Sequence, residues 1–145
     1  MSSVLNTHPP FPGAPEEWRQ EDESALAMIG TVYRHVGGDE ERMMFSPLGL
    51  HLDGDGIIRP HILMIAAKAL LQGCVQRVRG AGDHALGPLS INCDFLDEYP
   101  ARGWIAGQAR IIRRGRNVAF LRGKLICGDR TILAVNGVWR MRQES

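Results

Sequence analysis

The residues best suited to chemistry lie in the stretch LHLDGDGIIRPHILMIAAKALLQG, residues 50 to 73. Asp53 stands in a glycine-rich loop, directly before an apolar run that predicts a long helix. A carboxylate at that place could attack a carbonyl or activate water, while donors at the helix start could stabilise an oxyanion. The alternative is a solvated turn, because Asp and Gly are the commonest turn residues.

Further polar side chains accompany the predicted helix. His61 and Lys68 are seven residues apart, so two helical turns would place them on one face. There Lys68 could hold an anionic group and His61 could orient water. Arg59 precedes both residues at the helix start and could recruit an anion. A simpler interpretation is that these side chains form the solvated side of the helix.

Composition and charge exclude several classes of function. The 145 residues contain 17 Lys+Arg and 16 Asp+Glu, which leaves a net charge of +1. The one compact basic cluster, RRGR at residues 113 to 116, lacks interleaved aromatic residues, so we predict no nucleic-acid partner. The longest apolar run, residues 62 to 67, is far shorter than the roughly 20 residues of a membrane span, so we predict no membrane partner.

Cysteine and histidine usage predicts a reducing compartment and no bound metal. The three cysteines are odd in number and widely separated, which argues against disulfides and predicts a cytoplasmic protein. No secretory signal is visible at the N-terminus. The five histidines show no ligand spacing, so we predict neither a metal site nor a separate cofactor.

The order of predicted elements indicates one α+β domain. Prolines predict an extended arm over residues 1–20, ahead of a single domain over 21–145. Helical spacing of apolar residues predicts an N-terminal helix from Leu26 to Val36. A bent strand in MMFSPLGLHL and a main helix from His61 to about Val78 follow. The remaining predicted strands form an antiparallel meander: LSINCDFL, GWIAGQARIIRR, NVAFLRGKLIC and TILAVNGVWRMR.

This C-terminal region resembles that of the hotdog-fold acyl-CoA thioesterase superfamily. The motifs DFL, ARG, RRGR, VAF, GD and GVW occur in the family's order, and the resemblance covers roughly residues 40 to 140. It implies a hotdog fold, in which an antiparallel sheet wraps a long central helix, here with an extra N-terminal helix. It also implies an acyl-CoA substrate, with coenzyme A as part of that substrate. Self-association is implied as well, as a homodimer or a tetramer of such dimers, with sites at the dimer interface.

The active-site motif departs from the commonest family pattern. In the phenylacetate-pathway type, the expected groups fall on Asp53, Gly56, Arg59-Pro60-His61 and Lys68, where three of them are replaced. The 4-hydroxybenzoyl-CoA type matches better, because its Asp-x-x-Gly-Ile-Val pattern falls on DGDGII and makes Asp53 the catalytic carboxylate. Pro60 lacks the backbone N–H that polarises the thioester carbonyl in such sites, and the His61 N–H is the nearest replacement.

The positions of these residues and the resemblance together assign a role to each candidate. Asp53, His61 and Lys68 form the catalytic set, while Gly56, Arg59 and Ser90 belong to the oxyanion hole and pocket. In related thioesterases, basic residues at the equivalent hairpin hold the CoA phosphates, which assigns Arg113 and Arg116 to CoA binding. The alternative for these arginines is solubility and edge protection at a hairpin turn.

Three functions follow from these residues. The first is hydrolysis of a small or medium acyl-CoA thioester at a dimer-interface site. The second is a non-catalytic hotdog protein that binds an acyl-CoA or another small ligand, which the replaced motif residues favour. The third is a hotdog enoyl-CoA hydratase or dehydratase, in which Asp53 and His61 would approximate the required pair of catalytic side chains.

Overall fold

A computed structural model describes residues 15–20, 29–38, 40–78, 83–98, 100 and 103–143. Within this part of the chain one α-helix, α1 (Pro60–Val78), accompanies seven strands. Short 3₁₀ turns at Pro15–Glu17 and Gly49–His51 precede the first strand and the helix. The strands are β1 (Trp18–Gln20), β2 (Thr31–His35), β3 (Glu41–Ser46), β4 (Asp83–Phe95), β5 (Ile105–Arg114), β6 (Val118–Cys127) and β7 (Arg130–Gln143).

The seven strands form one sheet in the order β1-β2-β3-β5-β6-β7-β4, and every neighbouring pair is antiparallel. Strands β5 to β7 follow one another as a meander, as predicted. The prediction is wrong for the first of the four stretches, LSINCDFL, because strand β4 pairs with β7 on its far side rather than with β5, which follows it in the chain. The predicted main helix and the α+β fold, in which the sheet wraps one helix, are thus confirmed.

The extra N-terminal helix, predicted from Leu26 to Val36, is wrong over its second half. Thr31–His35 is strand β2, which pairs with β1 on one side and β3 on the other. β-Branched and aromatic residues suit such a half-buried pleated surface better than a helix. Residues 21–28 lie outside the described part of the chain, as do residues 1–14 of the predicted arm. Within the arm, residues 15–20 form a 3₁₀ turn and strand β1.

The central helix lies close to the inner face of the sheet because small residues leave room for it. A Cβ added at Gly137 would lie 2.8 Å from Leu71 Cδ1, and one added at Gly123 would lie 3.1 Å from Leu70 Cδ2. Inward-facing side chains of the meander complete the core around the helix. The largest of them are Ile105, Leu121, Leu125, Ile132, Leu133, Trp139 and Met141.

A buried carboxylate ties the helix to the N-terminal strands. Glu41 on β3 is only 3% exposed, and Arg77 of α1 donates from Nε to its Oε1 at 2.9 Å. Arg34 of β2 donates to the other carboxylate oxygen and also, at 3.1 Å, to the carbonyl of Ala69 in the helix. Arg77 further donates to the carbonyl of Gly37 at 2.8 Å. One side chain from each of three elements therefore meets at this point.

Strand β4 leaves a long edge of the sheet open. Within the described residues it pairs with β7 alone, and two of its apolar side chains, Leu86 and Leu89, are 48% and 50% exposed. An open edge presents unpaired N–H and C=O groups, which act as a template for a further strand. The fold therefore offers one long edge for association.

Candidate functional site

The loop that precedes α1 is fastened at both ends to a buried histidine. His51 is 1% exposed, and its Nδ1 accepts a hydrogen bond from the Leu48 N–H at 2.9 Å. Its carbonyl accepts a hydrogen bond from the Arg59 N–H, also at 2.9 Å. Because the backbone N–H must donate, the Nδ1 atom of His51 carries no proton. His51 thus closes residues 48–59 into a compact loop that presents the residues between.

Asp53 lies within that loop, and its own side chain organises it. One carboxylate oxygen, Oδ1, accepts hydrogen bonds from the N–H groups of Asp55 at 2.8 Å and Ile57 at 3.0 Å. The Asp53 N–H donates to the Ile57 carbonyl at 2.8 Å, and Gly56 turns the chain with a φ of 78°. The side chain is exposed, yet these bonds fix its direction. Its second oxygen, Oδ2, forms no hydrogen bond with another described residue.

The helix begins directly after this loop, at a proline. Pro60 occupies the first helical position, which suits its fixed φ and its missing N–H. The Arg59 carbonyl accepts hydrogen bonds from Ile62 at 3.0 Å and Leu63 at 3.4 Å. The His61 N–H belongs to the first turn, where a helix provides no carbonyl to accept it. This N–H is the donor at the helix start that stands nearest to the Asp53 loop in the chain.

A groove opens beside Asp53 and the start of the helix. Its volume is about 570 Å³, within the range of small-molecule sites. Asp53 stands on its wall with the first-turn residues Pro60 and Leu63. The rest of the wall comes from the loop, the end of β4, the segment after it and the start of β7: Ile57, Ile58, Phe95, Leu96, Asp97, Glu98 and Ile132.

Hydrogen bonds and bridges hold the far wall of the groove in place. The Leu96 N–H donates to the Ile132 carbonyl at 2.9 Å, which fixes the segment after β4 against β7. An isolated bridge pairs Ile57 of the loop with Pro100. Asp97 accepts a hydrogen bond from Arg130 Nη1 at 2.7 Å. The loop, the helix start and the end of β4 therefore form one site.

Several predicted residues lie away from this groove. Gly56 forms the turn of the Asp53 loop, and Arg59 and His61 flank the first helical residue with exposed side chains. Lys68 is exposed farther along α1 and does not line the groove. Ser90 is exposed on β4, opposite Val138 of β7. Within one chain, the structure brings Asp53 and the helix start together, but not Lys68 or Ser90.

The predicted CoA-binding arginines lie at the other end of the sheet. Arg113 and Arg116 are exposed at the hairpin between β5 and β6. Ile105, at the start of β5, pairs with Cys127 near the groove end of the sheet. From residue 105 to residue 113 the strand runs about 26 Å at roughly 3.3 Å per residue. The hairpin of one chain is therefore separated from the groove of the same chain by about the length of this strand.

The thiols of Cys74 and Cys93 do not offer an alternative nucleophile. Burial raises the pKa of Cys74 to about 12, with a further contribution from the nearby Glu41 carboxylate. Burial, followed by the charge of Asp94, also raises the pKa of Cys93. Both thiols are therefore protonated at neutral pH and weakly nucleophilic. Within the described residues, no cluster of three or more His, Cys, Asp and Glu side chains could hold a metal ion.

Sequence reasoning missed the residues that shape the groove. Phe95, Leu96 and Ile132 are far from Asp53 in the chain and reach it only through the pairing of β4 with β7. His51 shows no metal-ligand spacing in the sequence, and its role as the anchor of the loop was not predicted. One local signal was available: His51 precedes Asp53 by two residues, so it had to lie near the loop.

Known proteins resemble this chain in structure rather than in sequence. No protein-family model and no curated protein sequence matches it. A phenylacetic acid degradation-related protein from Ralstonia eutropha JMP134 superposes with a TM-score of 0.72 at 20% identity, over 83% of this chain and 92% of that one. A thioesterase from Haemophilus influenzae superposes with a TM-score of 0.71 at 17% identity, over 84% and 85%. The chain has the hotdog fold.

A third hotdog match shows how far this fold extends beyond sequence similarity. A thioesterase family protein from Silicibacter pomeroyi has a TM-score of 0.73 at only 10% identity, over 83% of this chain and 90% of that one. At such identities a likeness establishes the fold, while the chemistry rests on the residues of each chain. In this hotdog protein the chemistry therefore has to be derived from Asp53, the start of α1 and the groove beside them.

Proposed function

We propose that this hotdog protein hydrolyses small or medium acyl-CoA thioesters, with Asp53 as base or nucleophile. The observation that carries the proposal is the Asp53 carboxylate at the wall of the groove, held by two backbone N–H groups directly before α1. An anchored carboxylate on the wall of a partly apolar groove can meet the carbonyl of a bound thioester without losing further side-chain freedom. The thioesterase names of matching structures agree with this activity.

Asp53 can act in two ways on a thioester carbonyl. As a base, it takes a proton from water while the water oxygen bonds to the carbonyl carbon, and the C–S bond then breaks to release the CoA thiolate. As a nucleophile, its free oxygen bonds to that carbon and expels the thiolate, and water afterwards cleaves the resulting anhydride. In both routes the negative charge that develops on the carbonyl oxygen needs a donor. The His61 N–H, at the positive end of the helix, fits that role.

The dimer implied by the resemblance would form through the open edge of β4. Its exposed Leu86 and Leu89 would be buried there, and a partner strand would satisfy the unpaired edge. The outer sheet face is a poor alternative, because Arg110 of β5 stands directly opposite Arg122 of β6 and both are exposed. Stacking two such faces would add like-charge repulsion. We therefore favour a dimer through this edge over a tetramer of stacked outer faces.

An edge-to-edge dimer would also explain the position of the basic hairpin. A two-fold axis through β4 reverses the strand direction, so the far end of one sheet comes beside the groove end of the other. The hairpin then stands three strands from the shared edge, about 15 Å at roughly 4.8 Å per strand. Arg113 and Arg116 of the partner subunit could thereby hold the CoA phosphates of a thioester bound beside Asp53.

Replacing Leu89 by Glu is expected to convert the dimer into a monomer at micromolar concentration. In the dimer, the change places a charge from each subunit at an apolar edge that excludes water. In the monomer, residue 89 is half-exposed, so a charged side chain there remains in contact with water. Sedimentation velocity measures the mass. Ile112→Glu is the matched control, because Ile112 is 44% exposed on β5, away from the β4 edge. A dimeric Leu89→Glu variant, or a monomeric wild type, would contradict the proposed interface.

The direct test of the proposed function is release of free thiol from purified protein and a series of acyl-CoAs. We expect turnover of small and medium acyl groups, and a lower KM for each CoA ester than for the same acyl group on N-acetylcysteamine. That difference is expected because the short thiol lacks the phosphates that the basic hairpin would bind. No turnover of any acyl-CoA would reject the hydrolase.

One observation supports a second candidate, a non-catalytic acyl-CoA-binding protein. Pro60 at the first helical position removes one of the backbone donors that such a helix start would otherwise offer to an oxyanion. A binding protein would be stabilised against thermal unfolding by acyl-CoA without hydrolysing it. Parallel measurement of melting temperature and thiol release separates the two functions.

We propose a cytoplasmic location for this activity. None of the three cysteines, Cys74, Cys93 and Cys127, forms a disulfide with a described residue, and two of them are buried. Cysteines outside disulfides are typical of a reducing compartment, where acyl-CoA esters would also meet the protein as soluble substrates.

A further inference from the structure

The groove beside Asp53 combines an apolar wall with acidic side chains. Apolar groups come from the loop, the helix and the end of β4, including Leu63, Phe95 and Leu96. Three carboxylates, those of Asp53, Asp97 and Glu98, line the same groove. Among the described residues that line it, none is Lys, Arg or His. The described lining of the groove is therefore negatively charged as well as partly apolar.

Pairing neutralises only part of that charge. Asp97 accepts a hydrogen bond from Arg130 at 2.7 Å, so one carboxylate has a cationic partner. One carboxylate oxygen of Asp53 accepts hydrogen bonds from two backbone N–H groups. These bonds orient the carboxylate but leave its negative charge in place. Glu98 is exposed and forms no ion pair with any residue in the described part of the chain. Among the described residues of one chain, about two of these negative charges therefore have no cationic partner.

We infer that this groove selects uncharged acyl groups and rejects acyl groups that end in a carboxylate, with Glu98 as a specificity-determining residue. This inference rests on the proposed function, since it assigns the acyl part of the thioester to the groove. An aliphatic chain gains contact with Phe95, Leu96 and Leu63. A terminal carboxylate would lose water there, find no cation among the described residues of the wall and meet the charges of Asp53 and Glu98.

The test compares two thioesters of equal chain length, hexanoyl-CoA and adipoyl-CoA, which differ in a terminal carboxylate. Wild-type protein is expected to show a kcat/KM at least about tenfold higher for hexanoyl-CoA, because the like charges of Asp53 and Glu98, each a few ångströms away, together cost at least that factor. Glu98→Gln, which keeps shape and removes charge, is expected to narrow the ratio by about threefold or more. Higher salt is expected to narrow the wild-type ratio as well, which a purely steric effect would not do.

Glu16→Gln is the matched control, because Glu16 is an exposed glutamate of the N-terminal 3₁₀ turn, outside the groove. It should leave the ratio of the two kcat/KM values unchanged. Equal kcat/KM values for the two thioesters in wild-type protein, or a ratio that Glu98→Gln does not move, would overturn the inference. Melting temperatures of both variants verify that they are folded.

Calorimetric dissociation constants for the same two thioesters separate this inference from the proposed hydrolysis. If neither thioester is hydrolysed but hexanoyl-CoA binds more tightly, and Glu98→Gln reduces the difference, the hydrolase is rejected while the charge selection stands. If both are hydrolysed and bound equally well, the charge selection is rejected while the hydrolase stands.

Discussion

Replacing Asp53 by Asn is expected to lower kcat for acyl-CoA hydrolysis by at least about 100-fold, the usual contribution of a catalytic acid or base. Asn keeps an Oδ1 acceptor for the N–H groups of Asp55 and Ile57, so the loop should retain its shape. What disappears is the negative charge that activates water or attacks the carbonyl. Thiol release at saturating acyl-CoA measures kcat, and an unchanged melting temperature would confirm that the fold is intact.

Asp55→Asn is the matched control for this substitution. Asp55 lies two residues away in the same exposed loop, but it contributes its backbone N–H rather than its carboxylate to the hydrogen bonds. We expect its kcat to stay within about threefold of wild type, because its charge touches no reacting atom. Wild-type kcat in Asp53→Asn would remove Asp53 from the catalytic machinery. Equal losses in both variants would indicate a role for the loop's charge rather than for one carboxylate.

The main helix could be predicted from the sequence because its signal is local and long. Residues 61 to 78 contain many good helix formers, and the structure begins α1 at Pro60 and ends it at Val78. The strands of the meander were equally readable, since alternation and a glycine-bearing turn mark each hairpin. The position of β4 beside β7 was not readable, because the sequence does not state which edge a returning strand occupies.

The N-terminal error shows where a local pattern is ambiguous. Ile29, Val32 and Val36 fit a helical spacing, yet Val32 and Tyr33 are also typical of strands. The structure resolves the choice by pairing: Val32 lies opposite Phe45 of β3, and both side chains are buried. A strand can bury this face against the sheet only when β3 is already present. Tertiary pairing, which the sequence does not display, therefore outweighed local periodicity.

The candidate site divides in the same way between local and distant contributions. Asp53 and the helix start are adjacent in sequence, so their juxtaposition followed from the order of elements alone. Leu96 and Glu98 lie at the groove in a segment that long-range contacts hold in place, namely the Leu96–Ile132 hydrogen bond and the Ile57–Pro100 bridge. Asp53 could thus be predicted as a candidate site residue from the sequence. The negative charge of the groove wall, in contrast, becomes apparent only when the fold is known. The proposed selection of uncharged acyl groups depends on this charge of the groove wall.

Replacing Glu41 by Ala is expected to lower the free energy of unfolding by about 3 kcal/mol or more, as removal of one partner from a buried ion pair typically does. Arg77 and Arg34 would remain largely buried without a carboxylate, still held by backbone carbonyls of Gly37 and Ala69. Gly73 shows how tightly the cluster is packed, because a Cβ there would collide with both Arg34 Nη1 and Glu41 Oε2.

Glu40→Ala is the matched control, because Glu40 is the neighbouring residue in the chain but its side chain is 39% exposed and lies 3.8 Å from Arg42. Such a surface pair contributes at most about 1 kcal/mol. For a chain of this length, about 3 kcal/mol corresponds to a melting temperature lower by about 10 °C, which calorimetry resolves. Equal melting temperatures for the two variants would show that the buried cluster does not hold α1 to β2 and β3. A lower melting temperature in Glu41→Ala alone would instead show that this single carboxylate, remote from the groove, fixes the position of α1. The first turn of that helix lies beside Asp53 in the groove.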